Sequence, residues 1–354
     1  MKVKEATKAY ETFLHAHLPV VDADLEFKHK QMSAALFPFL RATFYRWSEI
    51  FRESCADLAQ APELLAVGDL HVENFGTWRD QEGRLTWGIN DFDEAQTMPY
   101  TIDLVRLATS ALLAAQEAKL PFAFEEICAA ILTGYSEWLE KGGRPFVLEE
   151  EHGWLRVLAT GALRDPVAFA AKMDKLKTAE PPKAVTDLLS AHLPKGAVVK
   201  RFAARTAGLG SLGRPRYVAL AEFSGGQVVR EAKATLPSAW NWSMGQNDAP
   251  LRCQEIVNKA VRCADPCLSF EKGWAIRRLA PHCSRVELTD LPHRTDDLKL
   301  AKVMGRETAN VHLGSPDAIA AVKKDLAKRS PKWLFLAATA MADATRKDWG
   351  AWKE

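Results

Sequence analysis

Two strand-like runs, Arg216 to Phe223 and Val228 to Ala234, are joined by Ser224-Gly225-Gly226-Gln227. Runs of this length closed by a glycine turn are the signature of a β-hairpin. The hairpin constrains the fold because most of the chain around it has a different period. Residues 4–18 and 24–59 read as helical, with Phe37, Leu40, Phe44, Trp47, Ile50 and Phe51 spaced at three- and four-residue steps for burial. Pro38 belongs near a helix start, since inside a helix it would break the hydrogen-bond ladder. Helical patterns return over Leu104 to Ala118, over Phe122 to Glu140, in three shorter segments between 147 and 195, and at 297–313, 316–329 and 332–348. Strand patterns are concentrated between about 198 and 288, after an earlier strand at Leu85 to Ile89. The expected class is α+β, a mostly helical large part with a small antiparallel sheet. A chain of 354 residues exceeds what one core usually serves, so two lobes are expected. Their expected bounds are a helical lobe over 1–195, a β-rich region over 196–290, and C-terminal helices over 291–354 that pack back on the helical lobe.

Charge and cysteine usage narrow the function classes. The 47 basic and 45 acidic residues nearly balance, which argues for neither a nucleic-acid nor a membrane partner. No stretch approaches the roughly 20 apolar residues of a membrane span. The charged start, Met1-Lys2-Val3-Lys4-Glu5, lacks the apolar core of a signal peptide. Six cysteines are too sparse for a disulfide framework, and the spacing of Cys263, Cys267 and His282-Cys283 fits no standard zinc pattern. Reduced thiols in a cytoplasmic protein are expected.

The densest chemistry lies in Val67-Gly68-Asp69-Leu70-His71-Val72-Glu73-Asn74-Phe75-Gly76 and Ile89-Asn90-Asp91-Phe92-Asp93-Glu94. Taken singly, these are ordinary turn and loop residues. Together they suggest more. Asp69 and Asn74 have the D-x-x-x-x-N spacing of a phosphotransferase loop, in which the Asp accepts a hydroxyl proton and the Asn holds magnesium. Asp91 and Asp93 follow a strand and offer the hard oxygen ligands magnesium needs. Asp69 and His71 are therefore the catalytic candidates, and Asn74, Asp91 and Asp93 the metal ligands.

Gly208-Leu209-Gly210-Ser211-Leu212-Gly213 is a G-x-G-x-x-G loop. A dinucleotide fold requires a helix directly after it, whereas here Pro215 and a strand follow. That context suits a glycine loop in a β-hairpin over ATP phosphates, with Lys233 on the return strand in Arg230-Glu231-Ala232-Lys233. Gly208, Gly210, Ser211, Gly213 and Lys233 are the expected phosphate-binding set, and Glu255 is the carboxylate whose place in the chain order suits a partner for Lys233. A solvated edge-strand lysine is the plain alternative.

These motifs, with Asp103-Leu104…Arg106-Leu107-Ala108 and Arg216-Tyr217, resemble the bacterial DUF2252 family, whose core is similar to the aminoglycoside phosphotransferase and choline kinase branch of the protein-kinase-like fold. The resemblance implies Asp69 as catalytic Asp, Asn74 and Asp91 on metal, Asp103 as support for the Asp69 loop, and Lys233 with the glycine loop on phosphate. The glycine loop lies C-terminal to the catalytic loop, so such a two-lobe fold would be circularly permuted. Arg214-Pro215 also replaces the x-Val that packs over adenine. The expected function is an ATP- and Mg2+-dependent phosphotransferase acting on an unidentified small hydroxyl- or amine-bearing acceptor. Three alternatives stay open: a nucleotide-binding pseudokinase, nucleotidyl transfer to a protein, and a metal hydrolase using Asp69, His71, Asp91 and Asp93.

Overall fold

The computed structural model describes residues 1–118, 123–149, 152–161, 164–284 and 294–354. Helices α1 (Val3–His17), α2 (Asp22–Ala34), α3 (Leu36–Ala42) and α4 (Phe44–Ser54) open the chain. Pro38 stands in the first turn of α3, where the missing N–H costs no intrahelical bond. Strands β1 (Glu63–Ala66), β2 (Phe75–Arg79), β3 (Leu85–Ile89) and β4 (Gln96–Pro99) follow, then α5 (Thr101–Glu117) and α6 (Phe124–Lys141). β1 pairs with β4, and β2 pairs with β3, all antiparallel. A short β5 (Phe146–Val147) adds to β3. Helices α7 (Gly153–Gly161), α8 (Pro166–Asp174) and α9 (Lys183–Ala191) lead to β6 (Val198–Ala204), β7 (Arg216–Phe223) and β8 (Gly226–Ala234). After α10 (Ala239–Trp242) and α11 (Cys253–Lys259) come β9 (Ser269–Glu271) and β10 (Trp274–Leu279). Helices α12 (Arg294–His312), α13 (Pro316–Leu326) and α14 (Trp333–Lys353) complete the chain, giving an α+β architecture.

α5 is the centre of the helical body. It is buried on nearly every face from Thr101 to Ala115, as an all-round apolar helix must be. Its leucines and alanines share one core with Phe44, Trp47 and Phe51 of α4, Met304 of α12 and Met341 of α14. Helices α12 and α14 thus return to the body formed by the first half. No helix among the described residues is long and apolar enough to cross a membrane. All six cysteines are free.

The second body is a five-stranded antiparallel sheet in the order β6-β7-β8-β10-β9. The β7–β8 turn is the two-residue Ser224-Gly225, both with positive φ, 50° and 81°, the backbone a tight hairpin requires. One face of this sheet carries Ala203, Val218, Leu220, Val229 and Leu279 against Phe169 and Met173 of α8. The other carries Ala219, Ala232 and Ile276 against Val185, Leu188 and Leu189 of α9. The valines, leucines, Ile276, Phe169 and Met173 each contribute about 1.5–3 kcal/mol by leaving water, the alanines less. Helices α8 and α9 therefore pack on the sheet, although they precede its first strand in the chain. Helical period marks a buried face without saying which body buries it.

Candidate functional site

The Asp69 loop leaves β1 at Val67-Gly68. Gly68 has φ of 88°, and a Cβ there would come within 2.8 Å of Met98 and 2.9 Å of the Glu94 carbonyl oxygen, so only glycine fits. Asp103, in the first turn of α5, fixes this turn by accepting from the backbone N–H groups of Val67 at 2.8 Å and Gly68 at 2.7 Å. His312 Nε2 of α12 meets the same carboxylate at 2.9 Å, and His312 Nδ1 lies 2.8 Å from the Tyr135 hydroxyl of α6. His312 thus bridges the Asp103 carboxylate and the Tyr135 hydroxyl through its two ring nitrogens. Burial raises the Tyr135 phenol well above its usual range and keeps it a donor. Three helices thus hold one loop.

Beyond Asp69, a 3₁₀ turn over Val72–Asn74 delivers Asn74. The His71 backbone N–H donates to Asn74 Oδ1 at 2.6 Å, and His71 Nδ1 accepts from the Glu73 N–H at 3.2 Å. Thus His71, proposed from sequence as catalytic, caps this turn. Asn90 N–H donates to the Asn74 carbonyl at 3.0 Å, tying the turn to the end of β3, where Asp91 and Asp93 emerge.

Asp69 Oδ1 accepts from Arg106 of α5, through Nε at 2.9 Å and Nη2 at 2.5 Å. Arg106 is fully buried, with its guanidinium 4.9 Å from the Trp47 ring centroid. Burial raises the Asp69 carboxyl above its ordinary range, an effect that the charges of Arg106 and Arg41 only partly offset. Asp91 behaves oppositely. Burial opposes its ionisation, but Lys233, Arg277 and Arg216 outweigh that and hold its pKa at about 2.

Lys233, 4% exposed on β8, reaches across 142 positions to Asp91 Oδ1 at 3.5 Å and makes a closer ion pair with Asp93. The glycine loop joins β6 to β7 and contains a 3₁₀ turn over Leu209–Ser211. Gly210 lies against the Asp69 loop: a Cβ there would be 3.0 Å from the Arg41 carbonyl and 3.6 Å from Asp69 Oδ2. Lys28 of α2 donates to the Gly210 carbonyl at 3.2 Å, and burial, with Arg214 nearby, lowers its pKa to about 8. Arg214, next after Gly213, donates to Glu94 at 2.9 Å and lies 3.6 Å from Asp93.

One cleft is lined by Asp69, His71, Asn74, Asp91, Asp93, Gly208, Gly210, Ser211 and Lys233. Two expected site residues are not brought there. Gly213 packs behind the loop on Leu25, and its carbonyl accepts from Val21 N–H at 2.9 Å. Glu255 is not the partner of Lys233. On α11 it accepts from Arg252 and Lys259, both at 2.8 Å, and these hydrogen bonds hold its pKa at about 2. With arginine and lysine at positions i−3 and i+4, Glu255 has local partners, and Lys233 is neutralised instead by the two aspartates.

Sequence alone assigns no role to Glu231, Glu94, Arg277 or Arg106, and marks Arg214 only as a departure after the glycine loop. Glu231 is fully buried and accepts from Arg216 at 2.8 Å, from Arg277 at 2.7 Å and from Arg205. Burial alone would raise its carboxyl, but those three guanidiniums drive it well below the usual range. The available signal was a charge placed where the apolar period demands burial: Arg106 within an apolar helix, and Glu231 within a central strand. Such charges need partners.

Of the residues expected on magnesium, Asp91 and Asp93 offer carboxylates to the cleft, with the Asp91 side chain 43% exposed, whereas Asn74 Oδ1 already accepts from the His71 N–H. Magnesium is commonly held by one or two carboxylates plus substrate phosphates. Among the described residues no group of three or more His, Cys, Asp or Glu is arranged to hold a metal ion, Cys263, Cys267, His282 and Cys283 included. No curated protein and no solved structure matches the chain. The model of a family described as an uncharacterized protein conserved in bacteria, DUF2252, matches residues 21–155 and 183–354, and the chain belongs to that family.

Proposed function

We propose that this protein is an ATP- and magnesium-dependent phosphotransferase, built as a circularly permuted two-lobe protein-kinase-like fold, and that it acts on a small hydroxyl- or amine-bearing acceptor. The observation that carries the reading is the meeting of Lys233 with Asp91 at 3.5 Å across two bodies of the chain. The order of parts within the sheet supports it as well: the glycine loop joins its first two strands in sequence and the lysine stands on the third, as in protein kinases.

In this reading Asp69 is the acceptor-side base. Arg106 occupies Oδ1, which leaves Oδ2 for the acceptor, and burial raises the proton affinity of the carboxyl. The acceptor oxygen or nitrogen forms the new bond to the γ-phosphorus, its proton passes to Asp69, and the bond to the departing diphosphate breaks. Asp91 and Asp93 would hold magnesium, which supplies charge neutralisation on the phosphates when bound. Lys233 and the backbone of Gly208 to Ser211 orient the phosphate chain. Positioning and electrostatics supply most of the rate in such transfers.

A second reading, a triphosphate-binding regulatory protein without turnover, is favoured by the Arg106 clamp on Asp69 and by the absence of Glu255 from Lys233. Two measurements test both. ATP with magnesium at about a hundred times the dissociation constant should stabilise the fold by roughly 2.7 kcal/mol in thermal melts. Purified protein should release or transfer the γ-phosphoryl group of labelled ATP. Stabilisation without turnover selects the regulatory reading, and a melting temperature unmoved by millimolar nucleotide and magnesium removes both.

A further inference from the structure

The cleft face of the sheet has a pattern set by register. Arg216 stands opposite Lys233, Val218 opposite Glu231, and Leu220 opposite Val229. Across β8 the partners are Ala275, Arg277 and Leu279 in the same sequence. Three rungs therefore run along one face: Arg216, Lys233 and Ala275; then Val218, Glu231 and Arg277; then Leu220, Val229 and Leu279.

The first two rungs are charged. Glu231 gathers Arg205, Arg216 and Arg277, and Lys233 is met by Asp91 and Asp93. Four cations thus face three carboxylates, and a divalent cation on the aspartates would increase the positive excess. Glu231 is fully buried, so its role is to hold guanidiniums in place, and the fork of an arginine matches phosphate oxygens.

The third rung is apolar, as a slot for a planar base must be. It is largely covered. Phe169 and Met173 of α8 pack on Val218, Leu220, Val229 and Leu279, and of these four only Leu279, 8% exposed, also borders the cleft. Among the described residues, the sheet position beside Lys233 carries Glu231 and its arginines in place of an apolar wall.

We infer that the site recognises its phosphoryl donor by the triphosphate chain and is indifferent to the base, so that inorganic tripolyphosphate occupies it as a nucleoside triphosphate does. The inference rests on the reading of this cleft as a triphosphate site and narrows its donor class. The shared chemistry is a linear chain of phosphates with a divalent cation; its source is either a nucleotide or an inorganic polyphosphate.

Calorimetry on the full chain with magnesium decides it, using ATP, GTP, UTP, inorganic tripolyphosphate and adenosine as separate probes. The four triphosphates are expected to bind within about fivefold of one another, tripolyphosphate should displace ATP completely, and adenosine should give no heat at millimolar concentration. Arg277→Met should weaken tripolyphosphate and ATP equally, by roughly tenfold. An ATP preference beyond about fivefold over tripolyphosphate or UTP, or competition by adenosine, overturns the inference and leaves the phosphotransferase reading standing. Binding by none of the triphosphates overturns both. The competition data on the unaltered protein suffice if Arg277→Met does not fold.

Discussion

Asp69 and Asp91 are both carboxylates in one cleft, yet their surroundings push them apart. Burial makes Asp69 a better proton acceptor, while Lys233, Arg277 and Arg216 keep Asp91 ionised. Asp69→Asn is expected to reduce transfer by at least about a hundredfold while triphosphate binding persists, and, because it also leaves the buried Arg106 without its carboxylate, to lower the denaturant midpoint. Asp91→Asn is expected to remove the magnesium-dependent part of binding, measured by titration with and without the ion. Retained turnover in both variants would take these residues out of the mechanism. Asp103 belongs to neither task. Asp103→Ala would leave the Val67 and Gly68 N–H groups and His312 buried without their acceptor, a loss of about 3–5 kcal/mol readable in the denaturant midpoint. The D-x-x-x-x-N spacing made Asp69 and Asn74 legible in the sequence. The Arg106 contact was not, because a helix sequence does not say what lies opposite each of its faces.

At the scale of elements, the glycine loop and the β3–α12 contact each carry a prediction. A Cβ at Gly210 would sit tightly against the Arg41 carbonyl at 3.0 Å and in contact with Asp69 Oδ2 at 3.6 Å, so the further methyls of a valine would crowd both. Gly210→Val should therefore reduce kcat with Asp69 intact, by displacing the loop or covering Oδ2, and a variant with unchanged turnover would show that this approach is not used. Glu307 of α12 is buried beside Gly88, accepts from Ile89 N–H at 3.1 Å and from Asn310 at 2.9 Å, and burial raises its pKa to about 7. An unfolded chain releases that proton near ~4.3, so between about pH 4 and 7 the folded state binds more protons than the unfolded one. Stability should fall across that window as pH rises, and Glu307→Gln should remove this part of the slope in urea midpoints. Glu231 works with the opposite sign: its folded pKa lies low, so its contribution is present above about pH 4 and fades as pH falls below that. The hairpin, the helices and Pro38 could be read from period and turn chemistry. The placement of α8 and α9 on the sheet could not, since an apolar stripe is silent about which surface it meets.

For the whole molecule, ion pairs join the two bodies across the cleft, Lys233 with Asp91 and Asp93, and Arg214 with Glu94, beside the apolar contact of Leu209 with Met32 and Phe39. Lys233→Met should leave two aspartates near one another without their cation, weaken triphosphate binding, and increase protease sensitivity in the loops around the cleft. Unchanged cleavage would mean that the charges do not hold the bodies in place. The order of parts along the chain has a further consequence, for biosynthesis. Asp103 and the turn it supports are made early, whereas His312, which completes that support, comes 209 positions later. At about 5–20 residues per second, a ribosome needs roughly 10–40 s to cover that distance. Throughout this interval a nascent chain already carries Asp69, Asp91 and Asp93 but has neither the histidine nor, until residue 233, the lysine that meets them. The centre is therefore assembled after most of the polypeptide has emerged, and a chain stalled midway would hold Asp69 with its Arg106 but leave Asp91 and Asp93 without the lysine that meets them.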